Sequence, residues 1–479
     1  MNKKPISPMT SCREAVRTAA SYPLSAHDHL VKPIALGQYG YTEKEYIIKG
    51  NANVYEWEEG EEHPHVRTEN APYCSRMLVR MPENPGKFSG TVIVELLNYA
   101  SGYDRSIPGW AQCYDYYLKH NIAWIGLTIH CRTHAFLKEF DPERYAEVDF
   151  PNPLPEEERK EADTSYGPSD KNKENGLRWD MISQVADLLK SEREENPMKD
   201  YEIKEVIATA ASGGDLSMYV AGFHPLYCTQ KNEELFDGFL IYMTGAPGCI
   251  NQTDTKNNER DLRNAFYASV PFIFVYTSGD MLSDGWHPDY ALMQRRPDAD
   301  QEDMKLFRYE IAGAGVRSAY DKLSSCSKED VERTSFRWRD TVNYEYDFPV
   351  RYILKAAHDA LIKWIRNGIT PPRSPLLETE GVYPAHTFIL DEAGNTKGGI
   401  RLPYVDAPLY NFQLEGGGKR LSADIIRKLY SSKEDYLSKV INSVNKAVAD
   451  RFLLSEDAAE ILNEAVHEEL PELDGKVGS

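Results

Sequence analysis

Three observations predict an α/β fold in which a mostly parallel sheet is covered by helices on both faces. Apolar runs of strand length alternate with amphipathic runs of helix length through the middle of the chain, the signature of βαβ crossovers. Two of the strand runs, TVIVELLN (91–98) and IAWIGLTI (122–129), are almost continuously apolar, as strands buried on both faces must be. A third run, Glu205 to Thr209, meets the small-residue stretch Ala210-Ala211-Ser212-Gly213-Gly214 and then an apolar helix, Leu216 to Phe223. That is a strand, a sharp turn and a helix.

Taken in order, residues 1–30 read as an N-terminal arm without a strong pattern. Residues 32–57 and 72–82 hold β-prone runs suited to antiparallel strands at one edge of the sheet. The buried strand 91–98 follows, then a helix at WAQCYDYYLKH and the strand 122–129. A polar loop near 146–175 reads as an insertion, and LRWDMISQVADLLKSE has helical periodicity. Strands at 236–243, 270–277 and 305–311 continue the alternation, and a helix over 348–368 closes it. Gly368 and the Pro371-Pro372 pair give that helix a conventional stop. The main domain is therefore expected over 31–372, with 373–479 forming an irregular wrap and then C-terminal helices packed on the same domain.

The bulk composition narrows the function. With 479 residues, 41% hydrophobic and 11% aromatic, the chain can fill a large core. A net charge of −20 argues against sequence-independent nucleic-acid binding, which needs clustered Lys and Arg. Seven scattered cysteines form neither a C-x-x-C pair nor a disulfide framework. No secretory signal or membrane-length apolar run is visible, so a soluble cytoplasmic protein is the expectation. The expected partner is a small-molecule substrate or ligand, with a homo-oligomer allowed. No Walker or dinucleotide fingerprint occurs and no metal motif accompanies His130 and His134, so neither cofactor nor metal is expected.

The strand–turn–helix at 205–223 has the layout of an α/β-hydrolase nucleophile elbow. Together with VELLNYASGYD (94–104), FDGFLIYMTGAPG (236–248), EIAGAG (310–315) and GNTKGGIRLP (394–403), it makes the chain resemble a microbial α/β-hydrolase-domain family. The elbow of that family usually reads Gly-x-Ser-Gln-Ser-Gly. The resemblance implies an α/β-hydrolase fold and a Ser–His–acid triad. It puts the nucleophile at Ala210, the base at Val316 and the acid at Ser278, with Asp280 two residues on as a substitute acid. Alanine and valine can neither attack a carbonyl nor take a proton, so the resemblance implies a degenerate triad. Changes at Ala208, Ala210, Ala211 and Val316 together fit divergence better than one engineered substitution.

Several polar groups at the expected strand ends are candidates for substitute chemistry. His130, past strand 122–129, is the preferred proton-transfer group, because an imidazole titrates near neutrality. Ser212 is the elbow hydroxyl, read either as a helix N-cap or as a displaced nucleophile. Asp215 suits the positive end of the elbow helix or serves as a pocket acid or base. Asn98, Tyr99 and the main chain of Ala211 lie where this fold supplies oxyanion donors. The resulting expectation is an enzyme working non-covalently on a small carbonyl- or ester-like substrate, as a lyase, hydratase, isomerase or atypical hydrolase. A non-catalytic binding or scaffold protein is one alternative, and a carboxylesterase-like hydrolase using Ser212 is the other.

Overall fold

A computed structural model describes residues 3–58, 60–161, 163–164, 167–168, 170–211, 214–243, 249–253, 268–282, 295–315, 326–338, 346–381, 387–412 and 417–473. The chain falls into two compact units, one of residues 1–271 with 320–340 and the other of residues 272–319 with 341–479.

In the first unit the sheet strands are β1 (Ser11–Glu14), β2 (Tyr41–Glu56), β3 (His65–Pro82), β4 (Thr91–Leu96), β5 (Ala123–Leu127), β6 (Glu205–Ala211) and β7 (Gly238–Tyr242). They lie side by side in the order β7-β6-β4-β5-β3-β2-β1. Pairing is parallel from β7 through β5 and antiparallel from β5 to β1. The predicted α/β-hydrolase class, with a parallel centre and N-terminal antiparallel strands, is thus observed. Strand β1 lies in what the sequence read as a patternless arm. Its residues pair with Tyr46–Lys49 at the sheet edge.

The central strands are apolar on both faces because both faces are covered. Val92, Ile93, Val94, Ile125, Ile207 and Ala208 are fully buried. The helices of this unit include α1 (Trp110–Lys119), α2 (His134–Phe140), α3 (Arg178–Leu189) and α4 (Gly214–Met218), the last continued by a π-helical turn, Tyr219–Phe223. Helix α3 is buried along its whole length, and Trp179 stacks on Phe223 at 4.6 Å, locking α3 to the turn after α4.

One buried carboxylate organises the loop after β4. Glu95, on β4, accepts hydrogen bonds from the Ser106 hydroxyl (2.7 Å), the backbone N–H groups of Ile107 (2.7 Å), Gly109 (3.1 Å) and Trp110 (3.0 Å), and Trp124 Nε1 (2.8 Å). It caps the start of α1, whose first N–H groups have no helical partner. Burial pushes its pKa above the ordinary range, although these donors pull it back. Gly109 has to be glycine here, since a Cβ would sit 2.3 Å from the Glu95 carboxylate.

The second unit holds strands β8 (Phe272–Thr277), β9 (Ala299–Gln301) and β10 (Met304–Ile311), with β10 parallel to β8 and antiparallel to β9. Its helices include α5 (Ser278–Leu282), α6 (Arg351–Asn367), α7 (Ala423–Leu429), α8 (Lys433–Ala449) and α9 (Ser455–His467). Helix α6 ends at Gly368 as predicted. Gly368 takes φ 66°, and its N–H bonds the carbonyl of Trp364 at 3.0 Å. Among the described residues no helix is long and apolar enough to cross a membrane.

Helix α6 carries a pH-sensitive group. His358 is fully buried, its Nδ1 bonded to the Leu354 carbonyl at 2.9 Å, and burial lowers its pKa to about 4. The unfolded chain binds this proton from about pH 6.5 downward, while the folded chain resists it. The contribution is therefore complete above that pH and is lost as pH falls toward the folded value, a change on the order of 3 kcal/mol. Urea unfolding at pH 7 and pH 4 should show a His358→Leu variant losing correspondingly less stability over that interval than the native chain. Equal losses would remove His358 from the acid response.

Candidate active site

The C-terminal ends of β4, β5 and β6 lie together because those strands are parallel neighbours, and open α/β sheets place ligands at such ends. The side chains meeting there are Tyr99, His130, Arg178 and Asp215. Asp215, in the first turn of α4, accepts the Tyr99 hydroxyl on Oδ2 (2.8 Å) and Arg178 Nη2 on Oδ1 (2.8 Å). Arg178 Nη2 also bonds the Cys249 carbonyl (2.6 Å), and its Nη1 bonds the Asn175 carbonyl (2.8 Å). The guanidinium lies 4.0 Å from the Trp179 ring centroid. Arg178 is 1% exposed, so this is a buried ion pair held by further hydrogen bonds rather than a solvated contact.

The Tyr99 ring stacks on His130, with centroids 3.7 Å apart and planes 19° from parallel. His130 caps the short turn after β5, its Nδ1 accepting the Arg132 backbone N–H at 3.0 Å. With Nδ1 so engaged, the neutral ring carries its proton on Nε2. Burial, with the Arg178 and Arg132 guanidinium groups nearby, holds its pKa well below the usual histidine range. The expectation of an imidazole titrating near neutrality is therefore corrected. His130 is a neutral ring, and its Nε2–H is a hydrogen-bond donor. Its sequence neighbour His134 uses Nδ1 on the Cys131 carbonyl at 2.6 Å.

The remaining candidates take these positions. Ala210 and Ala211 are not on the turn, as the sequence suggested, but belong to β6. Ala210 pairs with Leu96 and Ile241, and Ala211 with Tyr242. Neither has a positive φ. Sheet pairing on both flanks outweighs the turn character of a small-residue stretch. Only Ser212 and Gly213 separate β6 from α4, and both lie outside the described residues, as does Val316. Asn98 pairs with Arg105 through the backbone, and its Oδ1 accepts the Ala100 N–H at 3.2 Å, fixing the loop that carries Tyr99.

In the second unit, Asp280 and Thr277 bond reciprocally. Asp280 Oδ2 accepts the Thr277 N–H and Thr277 Oγ1 accepts the Asp280 N–H, each at 3.0 Å. Burial raises the Asp280 pKa to about 7. Ser278 Oγ donates to the Ala314 carbonyl at 2.8 Å, so it acts as a clip between α5 and the segment after β10.

Sequence reasoning missed Arg178. An arginine at the start of an amphipathic helix reads as a solvated charge. No local signal marked it, because Asp180, Ser183, Gln184 and Asp187 recur at helical spacing and read as a solvent face.

No curated protein matches the chain by sequence. Among solved structures, the glucuronoyl esterase from Solibacter usitatus is similar at 10% identity and TM-score 0.29, covering 69% of this chain and 86% of that one. The closed-state structure of Candida antarctica lipase A is similar at 7% identity and TM-score 0.31, covering 63% of this chain and 76% of that one. The family described as an alpha/beta hydrolase domain matches residues 6–463. The chain belongs to the alpha/beta hydrolase domain family.

Proposed function

We propose that the protein is an enzyme of α/β-hydrolase fold that acts without a covalent intermediate on a small carbonyl- or ester-like substrate. The observation that carries this reading is the cluster at the ends of β4, β5 and β6, in which a neutral His130 stacks on Tyr99 while the Tyr99 hydroxyl bonds a salt-bridged Asp215. A neutral imidazole with its proton on Nε2 donates a hydrogen bond to negative charge developing on a carbonyl oxygen. The Tyr99–Asp215 hydroxyl–carboxylate pair supplies a proton route beside it.

Turnover of a panel of activated esters, lactones and β-dicarbonyl compounds tests the reading. Replacing His130 with Asn should lower kcat/KM by about 10²-fold or more in a folded protein, the scale of losing one oxyanion donor. Unchanged kcat/KM would dismiss His130. No turnover on the whole panel, with ligands that still raise Tm, would favour a binding protein instead.

One observation favours a second reading. Since β6 runs through Ala211 and α4 begins at Gly214, Ser212 is the first residue after the strand, where this fold carries its nucleophile. Labelling of Ser212 by a fluorophosphonate, lost in Ser212→Ala, would establish the hydrolase with a displaced nucleophile. Full turnover by Ser212→Ala would exclude it.

A further inference from the structure

The C-terminal half of the second unit contains a cleft with no part in the reading above. It encloses about 370 Å³, its mouth included, between the segment at Tyr346, residues 403–410, α8 and α9. Buried Leu409, Val440 and Ile461 form its apolar floor. Tyr346, Tyr404, Tyr410 and Tyr436 form its walls. Glu464 and Glu468 are the ionisable acids in its lining, and the lining has no Lys, Arg or His.

This combination selects for positive charge by three separate effects. Aromatic faces carry negative quadrupole charge, and rings grouped around an apolar floor are the usual receptors for alkylammonium groups. Tyr346 and Tyr410 are stacked at 4.3 Å, and Tyr404 lies 6.2 Å from Tyr346, so these three rings form one connected wall. The carboxylates add full negative charge. Glu464 Oε2 accepts the Tyr404 hydroxyl at 2.6 Å, which orients it against that ring. Finally, the cleft lies at the C-terminal end of α9, the negative end of the helix dipole.

Two cations of the chain lie beside the cleft. Lys433 donates to the carbonyls of Ala465 (2.8 Å) and Glu468 (2.6 Å) and lies 5.2 Å from the Tyr436 centroid. Arg420 pairs with Glu468 at 3.2 Å and lies 5.4 Å from the Tyr410 centroid. Glu468 is thereby tied to a cation of the chain. Glu464 is less tightly engaged, 3.8 Å from Arg351. We infer that the cleft is a binding site for a free small organic cation of the alkylammonium class, with the tyrosine walls around the head group and Glu464 as its counter-charge.

Ligand-observed NMR titration of the full chain with choline tests the site against 3,3-dimethylbutan-1-ol, the uncharged carbon isostere of choline. Saturable choline binding is expected, with the isostere weaker by about tenfold, the scale of a desolvated cation–π contact. Glu464→Gln keeps the shape and an acceptor for Tyr404, and should weaken choline by a similar factor while leaving the isostere unchanged. Tyr404→Phe, which keeps the ring face, should retain choline binding. Equal affinity for choline and isostere would mean an apolar cleft without charge selection and would overturn the proposal. So would absence of saturable choline binding, or a Glu464→Gln variant indistinguishable from the native chain. These readouts require no turnover, so they succeed or fail separately from the chemistry at His130.

Discussion

Replacing Glu95 with Gln is expected to lower stability by about 3 kcal/mol or more, read as a shift in the urea midpoint at unchanged m value. The substitution changes one atom and almost no volume, so packing plays little part. The carboxylate offers two accepting oxygens to its ring of donors. An amide offers one oxygen and turns the other position into a donor. Placed toward Ile107 and Gly109, the new NH2 faces two backbone N–H groups that have nowhere to turn. Placed the other way, it faces Trp110 N–H and Trp124 Nε1 as well as the Ser106 hydroxyl. Either orientation leaves buried donors unsatisfied, each costing roughly 1–3 kcal/mol. Gly109→Ala should give a loss of the same kind by pushing directly on the carboxylate. A Glu95→Gln protein as stable as the native one would show that the loop after β4 is held by something else.

Removing the Arg178 guanidinium is the second large effect. An Arg178→Met variant should lose about 3–5 kcal/mol, the cost of stranding the partner of a buried ion pair. Besides Asp215, the carbonyls of Asn175 and Cys249 lose their donor, and the Trp179 ring loses its cation. The mechanism makes a sharper prediction for the double variant. Arg178→Met combined with Asp215→Leu removes both charges and should recover a substantial part of the loss, giving a coupling energy above about 1 kcal/mol. Strict additivity of the two single losses would mean that the pair is not energetically coupled. Catalysis gives an independent readout. Tyr99→Phe, which deletes only the hydroxyl bonded to Asp215, should impair turnover far more than stability if that pair moves a proton.

The fold was legible where side-chain pattern and burial coincide. TVIVEL and AWIGL are buried on both faces and contain little else that could be made of them. The end of α6 was legible because Gly368 must adopt a left-handed conformation that few other residues accept. Strand β1 was not legible. SCRE shows no alternation, and it is a strand because Tyr46–Lys49 offers unpaired backbone groups beside it. The last two residues of β6 were hidden for a similar reason, since alanine favours neither turn nor strand strongly and its partners Leu96 and Tyr242 are distant in sequence. The candidate site was legible as a set of strand ends but not as a set of bonds. Arg178 and Asp215 are 37 residues apart, and only the packing of α3 against the turn after α4 brings them together. His130 was found by position, yet its protonation state follows from a desolvation that no single residue announces.

The short β1 strand has a further consequence for how the molecule behaves among its copies. A sheet ending at the sixteen-residue β2 would offer neighbouring chains a row of unsatisfied main-chain donors and acceptors. β1 occupies four of those positions and turns a charged, ion-paired Arg13 outward toward Glu147. Brevity and charge make it a poor template for another strand. On this argument the arm covers part of the β2 edge against ladder-like pairing with another chain.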